Sequence, residues 1–387
     1  MPQQRRLIVL LCVTMLANAF SIGAFPPLVP ELGSVAGLSD FELGAVAGAF
    51  GLARMIADIP AGLFVARHLR AVFFLGPVVL ALGVLCLGSG GPFPVLVLGR
   101  ALMGVGHTLG IVGGLTAILR YRAGPTLSSS LSAYEFAAML GMLGGVAVVG
   151  SMPGWLGWNV ALLLTCTPLL IGLSAMPWVL RSLPSNDPTP EAPSIGRGAA
   201  KTGPASRSTF TPLAALAFAA GGAVAVAYST LEQFVIPLRG SREFGLDRGG
   251  VARVLMIAQT CDLLALLPVG VLADRRRTTG VLGLILLVFG AGTALIAFGN
   301  LAFMIAGCAL FGLGMAGWVL PLSVLRRETS ADQVAWRTGV YRVGVDGGLF
   351  LGPFLSGILG DRWAPLLPGL AACVLVAIGV ELLRSGD

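Results

Sequence analysis

Long apolar runs separated by short polar gaps fill most of the chain. Each run has about 20 residues or more, which is the length an α-helix needs to cross a membrane and far exceeds the roughly 10-residue strand of a membrane barrel. The runs predict twelve membrane-spanning helices, numbered spans 1 to 12: 7–29, 42–65, 71–89, 92–118, 130–150, 158–180, 212–238, 248–273, 278–298, 301–325, 334–359 and 363–383. The pattern therefore predicts an all-α membrane protein.

The composition supports this interpretation. Hydrophobic residues make up 56% of the 387 positions, charged residues only 11%, and the mean hydropathy is +0.89. A soluble domain carries about 25% charged residues and could not hide this much apolar surface. The composition excludes a soluble protein, and we expect the lipid bilayer to be its surroundings.

The N-terminal segment has some features of a secretory signal peptide. Arg5 and Arg6 precede an apolar stretch, and Ala17-Asn18-Ala19 offers a possible cleavage site. The apolar stretch continues to Val29, however, which is too long for such a leader. We therefore expect the segment to remain as span 1.

The basic residues predict the orientation, because cytoplasmic loops carry an excess of Lys and Arg. With a cytoplasmic N-terminus, the cytoplasmic side holds 17 basic residues: Arg5, Arg6, Arg67, Arg70, Arg120, Arg122, Arg181, Arg197, Lys201, Arg207, Arg275, Arg276, Arg277, Arg326, Arg327, Arg337 and Arg384. The other side holds four, namely Arg239, Arg242, Arg248 and Arg362. Both termini are therefore expected in the cytoplasm, in a cell membrane of the bacterial inner-membrane type.

Neither nucleic acid nor a metal is an expected partner. The net charge of +7 is distributed over loop residues beside apolar runs, where it sets topology instead of forming a basic patch with aromatics. The six cysteines all lie in apolar runs without a CxxC pair, so packing is their expected role.

A linker and an internal repeat divide the chain. Residues 181–211 are rich in Pro, Ser, Ala and Gly, which predicts a cytoplasmic linker between domains 1–180 and 212–387. The segment Ala101–Gly106 recurs as Ala309–Gly314, 208 positions later, and two further matches occur at offsets of 208 and 207. Two six-helix bundles related by such a repeat place a substrate site between them, near the middle of the membrane.

The recurring segments resemble motifs of the major facilitator superfamily, and the resemblance spans the whole chain. The family's loop motif G-x-x-x-D-R-x-G-R-R is approximated after span 2 by Gly62 and Arg67, and after span 8 by Gly270, Asp274, Arg275 and Arg276. Ala66 occupies the acidic position of the first copy. Arginines beside an aspartate can latch helix ends together, so we expect a latch that is weaker in the N-terminal half.

Two further patterns strengthen the resemblance. The span 4 pattern R-x-x-x-G-x-G fits Arg100, Gly104 and Gly106. The pattern G-x-x-x-G-P, associated in the family with antiporters, is degraded in span 5, where Val146 replaces proline; its better copy in span 11 comprises Gly348, Gly352 and Pro353. The resemblance implies two six-helix bundles and a monomeric secondary transporter similar to drug/proton antiporters, without a bound cofactor.

Ionisable residues within the spans are the candidate functional groups, because each costs at least about 2.5 kcal/mol at membrane depth. Arg54 and Asp58 in span 2 mirror Arg342 and Asp346 in span 11. The resemblance implies that these antiparallel helices pack together, so we predict two crossed gating ion pairs, Arg54–Asp346 and Asp58–Arg342. Two separate i,i+4 pairs within each helix remain the alternative.

Arg100 and His107 share one face of span 4, which lines the central cavity in the resembled fold. Such a wall can meet an anionic substrate group or relay a proton. Structural pairing of Arg100 and simple packing of His107 are the alternatives.

The buried carboxyl groups are the candidate proton carriers, since carboxyls removed from water can exchange protons in the working pH range. Glu135 and Asp262 fit this role best, although Glu135 could pair with a cytoplasmic arginine and Asp262 with Arg54 or Arg100. Glu232, beside Gln233, could line an outer vestibule or face headgroups. Asn18, Tyr228 and Trp318 lie on spans that line the cavity in the resembled family, where each could equally be a packing residue.

These features favour a proton-driven secondary transporter that works by alternating access. Export of an amphiphilic compound and uptake or exchange of a small anion both remain open, with export slightly favoured. An uncoupled facilitator or channel fits less well, because the sequence offers no ring of like charges. It contains no GxxxxGK[ST], HExxH or GxSxG motif, so ATP hydrolysis and other enzymatic activity are not expected.

Overall fold

The computed structural model describes residues 2–121, 127–183, 211–329, 333–363 and 365–384, and every regular element in those ranges is helical. The elements are Pro2–Gly23, Pro26–Leu28 and Val29–Ala36 for span 1, Asp40–Gly88 for spans 2 and 3, Phe93–Tyr121 for span 4, Leu127–Ser151 for span 5, Trp158–Thr165 and Leu169–Ser182 for span 6, Pro212–Thr230, Leu231–Val235 and Ile236–Arg242 for span 7, Arg248–Arg275 for span 8, Thr278–Phe298 for span 9, Leu301–Met315 and Leu320–Arg327 for span 10, Val334–Trp363 for span 11, and Leu366–Arg384 for span 12.

The predicted linker falls mostly outside the described residues, which omit 184–210. Arg122, Arg197, Lys201 and Arg207 also lie outside them, so the predicted boundaries of the two domains stay predictions. Spans 1 to 6 are called the N-terminal half and spans 7 to 12 the C-terminal half.

Polar side chains fix the starts of several helices, as the free N–H groups of a first turn require. Ser39 and Glu42 form a capping box at the start of span 2. Thr211, Asp247 and Asn300 accept a hydrogen bond from the backbone at the starts of spans 7, 8 and 10.

In the described ranges, eleven helices are long and apolar enough to cross a membrane, one fewer than predicted. The difference arises because spans 2 and 3 are joined in the 49-residue helix Asp40–Gly88, which is interrupted at His68 by non-helical dihedral angles. Gly104 of span 4 packs on Phe50, and Gly106, in the same turn, packs on Leu80. Both segments therefore lie beside the same part of span 4, and the joined helix supplies two of the twelve crossings.

The chain reverses direction at His68. Phe50 lies beside Gly104 and the Ala66 carbonyl accepts a hydrogen bond from Arg120, so span 2 runs parallel to span 4. Gly76 lies beside Gly106 whereas Gly83 lies beside Gly99, so span 3 runs antiparallel to span 4. The turn between two membrane crossings thus needs hardly more than one residue.

The internal repeat is visible in the packing. Gly104 contacts Phe50 in the N-terminal half, and Gly312 contacts Ala258 in the C-terminal half; both members of the pair are shifted by 208 positions. The span 5 glycines Gly141 and Gly145 pack on span 1, and the span 11 glycines Gly348 and Gly352 pack on span 7. The glycines permit close helix contacts, as the sequence predicts, and at equivalent places in the two halves.

Close backbone contacts between the halves lie at one end of the bundle. Gly44 of span 2 meets Gly357 of span 11, and Gly150 of span 5 meets Ala252 of span 8. We call this the sealed end. At the opposite end, which carries Arg67, Arg70 and Arg275 and is called the basic end, a side chain built on Gly62, Gly270 or Gly344 would meet no atom within 4 Å.

Candidate functional site

Spans 2 and 11 bring the predicted quartet of charges together. Contacts run from Gly44 against Gly357 to Met55 against Gly347, so the two helices are antiparallel. In that register Arg54 faces Asp346, and Asp58 faces Arg342 one turn nearer the basic end. The quartet therefore lies where the contact between the halves ends.

The two ion pairs differ in burial. Arg54 Nη2 lies 2.8 Å from Asp346 Oδ1, with 13% and 2% of the side chains exposed. That contact is close but is not aligned as a hydrogen bond. Arg342 Nε donates to Asp58 Oδ2 at 3.4 Å, and the Arg342 side chain is 36% exposed. Both crossed pairs are present in the structure, whereas their gating role stays a prediction.

Arg100 is buried at the contact between the halves, nearer the sealed end. Its Cζ atom lies 3.8 Å from the ring centroid of Phe25 and 4.9 Å from that of Phe50. Its Nη2 donates to Gln233 Oε1 across the halves at 3.3 Å. Nε and Nη1 have no hydrogen-bond partner, and no carboxylate of the described residues lies within 4.0 Å. A fully buried cation thus has one polar partner, which is neutral.

A local irregularity in span 7 positions two polar residues. Residues Leu231–Val235 form a π-helical turn, in which the extra residue changes the direction of the side chains. Glu232 accepts a hydrogen bond from Gln259 of span 8 at 2.9 Å, while the adjacent Gln233 contacts Arg100 of span 4. Glu232 is 3% exposed, so it lies in the packed interior and not among headgroups.

Glu232 belongs to a pair of carboxyl groups. Asp262 of span 8 is close enough to Glu232 for their charges to interact, and Tyr228 lies beside Glu232. Asp262 Oδ1 has no hydrogen-bond partner, and no basic side chain in the described ranges forms an ion pair with either carboxyl. The predicted partners of Asp262, Arg54 and Arg100, do not bind it in this conformation.

His107 lies between these groups. Its ring centroid is 5.6 Å from that of Phe50, whose other neighbour is Arg100. Its Nδ1 has no partner, and Arg54 and Arg342 are near enough for their charges to act on it. The predicted polar face of span 4 therefore points to the contact between the halves.

Three predicted pathway residues lie apart from this group. Asn18 lines a small cavity within the N-terminal half together with Thr14 and Tyr134. Glu135 is exposed, and no ion pair of the described residues includes it. Trp318 is 36% exposed. The structure gathers Arg100, His107, Tyr228, Glu232 and Asp262, but not these three.

The charged residues of the loop motif are exposed in this conformation. Arg67, Asp274 and Arg275 are exposed, and they form no ion pair among the described residues. At Ala66, where the family motif has an acidic residue, the backbone carbonyl accepts a hydrogen bond from Arg120 at 2.6 Å. The predicted latch is therefore not engaged here.

Sequence reasoning missed the ion pairs of the sealed end. Arg248, with a side chain only 2% exposed, binds both carboxylate oxygens of Glu31 and also donates to the Leu156 carbonyl at 2.7 Å. Arg242 pairs with Asp40 at 2.8 Å. Both pairs join one half to the other. The available signal in the sequence was that Glu31 and Asp40 fall on the same side of the membrane as the few basic residues predicted there, Arg242 and Arg248.

A cleft opens beside these pairs at the sealed end. Its volume is about 600 Å³, and its lining includes Glu31, Arg242, Asp247 and Arg248. Both partners of the Glu31–Arg248 pair and Leu156 therefore line this cleft.

Comparison with known proteins agrees with this architecture. The family model described as Major Facilitator Superfamily matches residues 11–258 and 213–384. Comparison with curated protein sequences gives no match.

Solved structures with the same fold include several transporters. A mutant of nucleoside transporter NupG has a TM-score of 0.75 and 14% identity, covering 98% of this chain and 100% of that one. A bacterial homologue of the human lysosomal transporter Spinster, inward-facing and unoccupied, has a TM-score of 0.73 and 17% identity, covering 99% of this chain and 93% of that one. A mutant of peptide transporter POT in complex with sulfate has a TM-score of 0.76 and 14% identity, covering 98% of this chain and 94% of that one. At these identities the likeness concerns the fold.

Proposed function

Because the chain belongs to the Major Facilitator Superfamily, we propose that this membrane-spanning secondary transporter exchanges protons for an amphiphilic compound, which it exports. The proposed site is the contact between the halves, where Glu232 and Asp262 carry the proton. The proposed location is a bacterial inner membrane with the basic end in the cytoplasm, since that end holds most of the arginines. A monomer is sufficient for this mechanism.

The observation that carries the proposal is the carboxyl pair without a basic partner. Two carboxylates whose charges interact repel each other, and a proton bound by either one relieves that repulsion. Gln259 and Tyr228 can serve either protonation state, because an amide and a hydroxyl both donate and accept. A proton can therefore enter or leave without disrupting the surrounding packing.

Alternating access is supported by the asymmetric ion pairs. Glu31–Arg248 and Asp40–Arg242 join the halves at the sealed end, while a side chain built on Gly62 or Gly270 at the basic end would meet no atom within 4 Å. In the opposite state we expect these pairs to separate, and the loop motif, comprising Gly62, Arg67, Gly270, Asp274 and Arg275, to close the basic end. The gating quartet lies between the two ends and separates when the halves rock.

An alternative cargo is a small anion, taken up or exchanged. Its support is Arg100, a buried cation without a counter-ion, with His107 on the same helix. Export of an amphiphile is favoured by the apolar surroundings of the site, which includes the rings of Phe25 and Phe50.

The test is a proton-flux assay in proteoliposomes. The purified full-length protein is reconstituted with a pH-sensitive dye inside, a pH gradient is imposed, and amphiphilic compounds are added one at a time. We expect proton movement that depends on the compound, and its loss in Glu232→Gln and Asp262→Asn. Compound movement that ignores the gradient would contradict proton coupling.

Glu135→Gln is the matched comparison variant. It removes one carboxyl by the same kind of substitution, from an exposed position outside the pair. The variant should retain at least half of the proton flux. Loss of flux in Glu135→Gln alone, with both pair variants active, would transfer the carrier role to span 5.

A further inference from the structure

Arg100 has an electrostatic cost that its surroundings do not offset. The whole residue is 1% exposed, and burying a charged group is costly unless an opposite charge and hydrogen bonds compensate. Phe25 and Phe50 offset part of this cost as cation–π partners. Gln233 adds one long hydrogen bond at 3.3 Å, and two nitrogens have none.

The surroundings of Arg100 indicate which kind of ligand group could pair with it. Two aromatic rings lie within 5 Å of the guanidinium carbon, so apolar contacts surround the group. The unpaired Nε and Nη1 are donors, and a guanidinium binds a carboxylate better than any neutral acceptor. The rings of Phe25 and Phe50 suit an apolar, preferably aromatic, body attached to that carboxylate.

We propose that Arg100 is the binding site for an acidic group of the transported compound, which is therefore an amphiphilic organic acid with an aromatic or apolar body. The inference rests on the proposed function and narrows its substrate class. It also combines the two alternatives left by the sequence, because one molecule can be both amphiphilic and anionic.

Access to the site depends on the halves. Arg100 belongs to span 4 and Gln233 to span 7, so their hydrogen bond crosses the contact that must open. When the halves part, Gln233 moves away and the donors of Arg100 become available. A carboxylate that binds there replaces Gln233 and favours the parted state, since a ligand shifts a protein toward the conformation it binds better.

The experiment compares three probes of nearly equal size: benzoate, benzyl alcohol and benzylamine. The melting temperature of the purified full-length protein is measured against the concentration of each, because a ligand of the folded state raises it by mass action. We expect saturable stabilisation by benzoate alone. Arg100→Gln should weaken benzoate binding about 10- to 100-fold, as the loss of a charge-assisted hydrogen bond implies, and Arg100→Lys should retain an intermediate affinity.

The matched control is Arg253→Gln, the same substitution at an exposed arginine on span 8. It should bind benzoate like the unmodified protein. Without probe, Arg100→Gln should melt at the same temperature or higher, because it removes an uncompensated buried charge. This measurement separates loss of the site from loss of the fold, and Arg100→Lys provides a second variant that keeps the charge.

Several results would overturn the inference: equal stabilisation by all three probes, no stabilisation by benzoate, or unchanged benzoate binding in Arg100→Gln. The proposed function fails separately. Proton exchange driven by neutral amphiphiles, together with no benzoate binding, would retain the function and remove the acid site. Benzoate binding through Arg100 without any proton-linked transport would retain the acid site and remove the proposed function.

Discussion

Both crossed ion pairs join an arginine to an aspartate, but they differ in burial. We therefore predict that neutralising the aspartate of each pair lowers the free energy of unfolding by different amounts. Asp346→Asn leaves Arg54 without its partner in a buried place, where 13% of the arginine is exposed. Breaking a buried pair from one side costs about 3–5 kcal/mol. Asp58→Asn leaves Arg342, which is 36% exposed and can reach water, so the expected cost is about 0–1 kcal/mol.

The assay is reversible unfolding of the purified protein in mixed micelles, followed by circular dichroism. Asp58 lies beside Asp346, so neutralising either carboxylate relieves the same repulsion and the difference between the variants is unaffected. The double variant Arg54→Gln with Asp346→Asn should recover most of the loss, because no buried charge is left alone. Two outcomes would refute the assignment: equal costs for Asp58→Asn and Asp346→Asn, or a double variant that costs as much as Arg54→Gln and Asp346→Asn added together.

Two further predictions concern the contact between the halves. Gly51→Ala places a methyl group 2.5 Å from the backbone of span 11 and should cost about 1–3 kcal/mol in the same unfolding titration, whereas Gly280→Ala meets nothing within 4 Å and should be neutral or stabilising by up to about 1 kcal/mol. Glu31→Gln removes the charge that pairs with Arg248, so the sealed end should open more often. The reporter is Gly249→Cys in a protein without other cysteines, and this cysteine should react several-fold faster with a thiol reagent added from the sealed end. An unchanged rate would show that the pair does not seal this end.

Much of the architecture could be predicted from the sequence, because membrane thickness sets helix length and the repeat fixes helix order. The crossed quartet followed from the family resemblance, which implies that spans 2 and 11 pack together, and from counting residues along these two helices. The equal offsets of Gly104 and Gly312 indicated equivalent packing before any contact was known.

The remainder of the site depends on irregular structure that periodicity does not encode. Glu232 and Gln233 lie in the π-helical turn, where Glu232 contacts span 8 and Gln233 contacts span 4. Regular helix geometry instead left Glu232 in a vestibule or among headgroups. Asn18 lies on a cavity-lining span, yet its side chain faces into its own half, because the rotation of a helix about its axis is set by tertiary packing.

Backbone lies close to backbone at several points of the seam at the sealed end. Gly44 meets Gly357, and Gly150 meets Gly249 and Ala252. No long side chain interlocks at these points, whereas Phe41 and Phe354 pack edge to face elsewhere along the same seam. The charged pairs that cross the seam should then limit how often it opens. Because Arg248 is buried, added salt should weaken its pair with Glu31 less than it weakens the more exposed pair of Arg242 and Asp40.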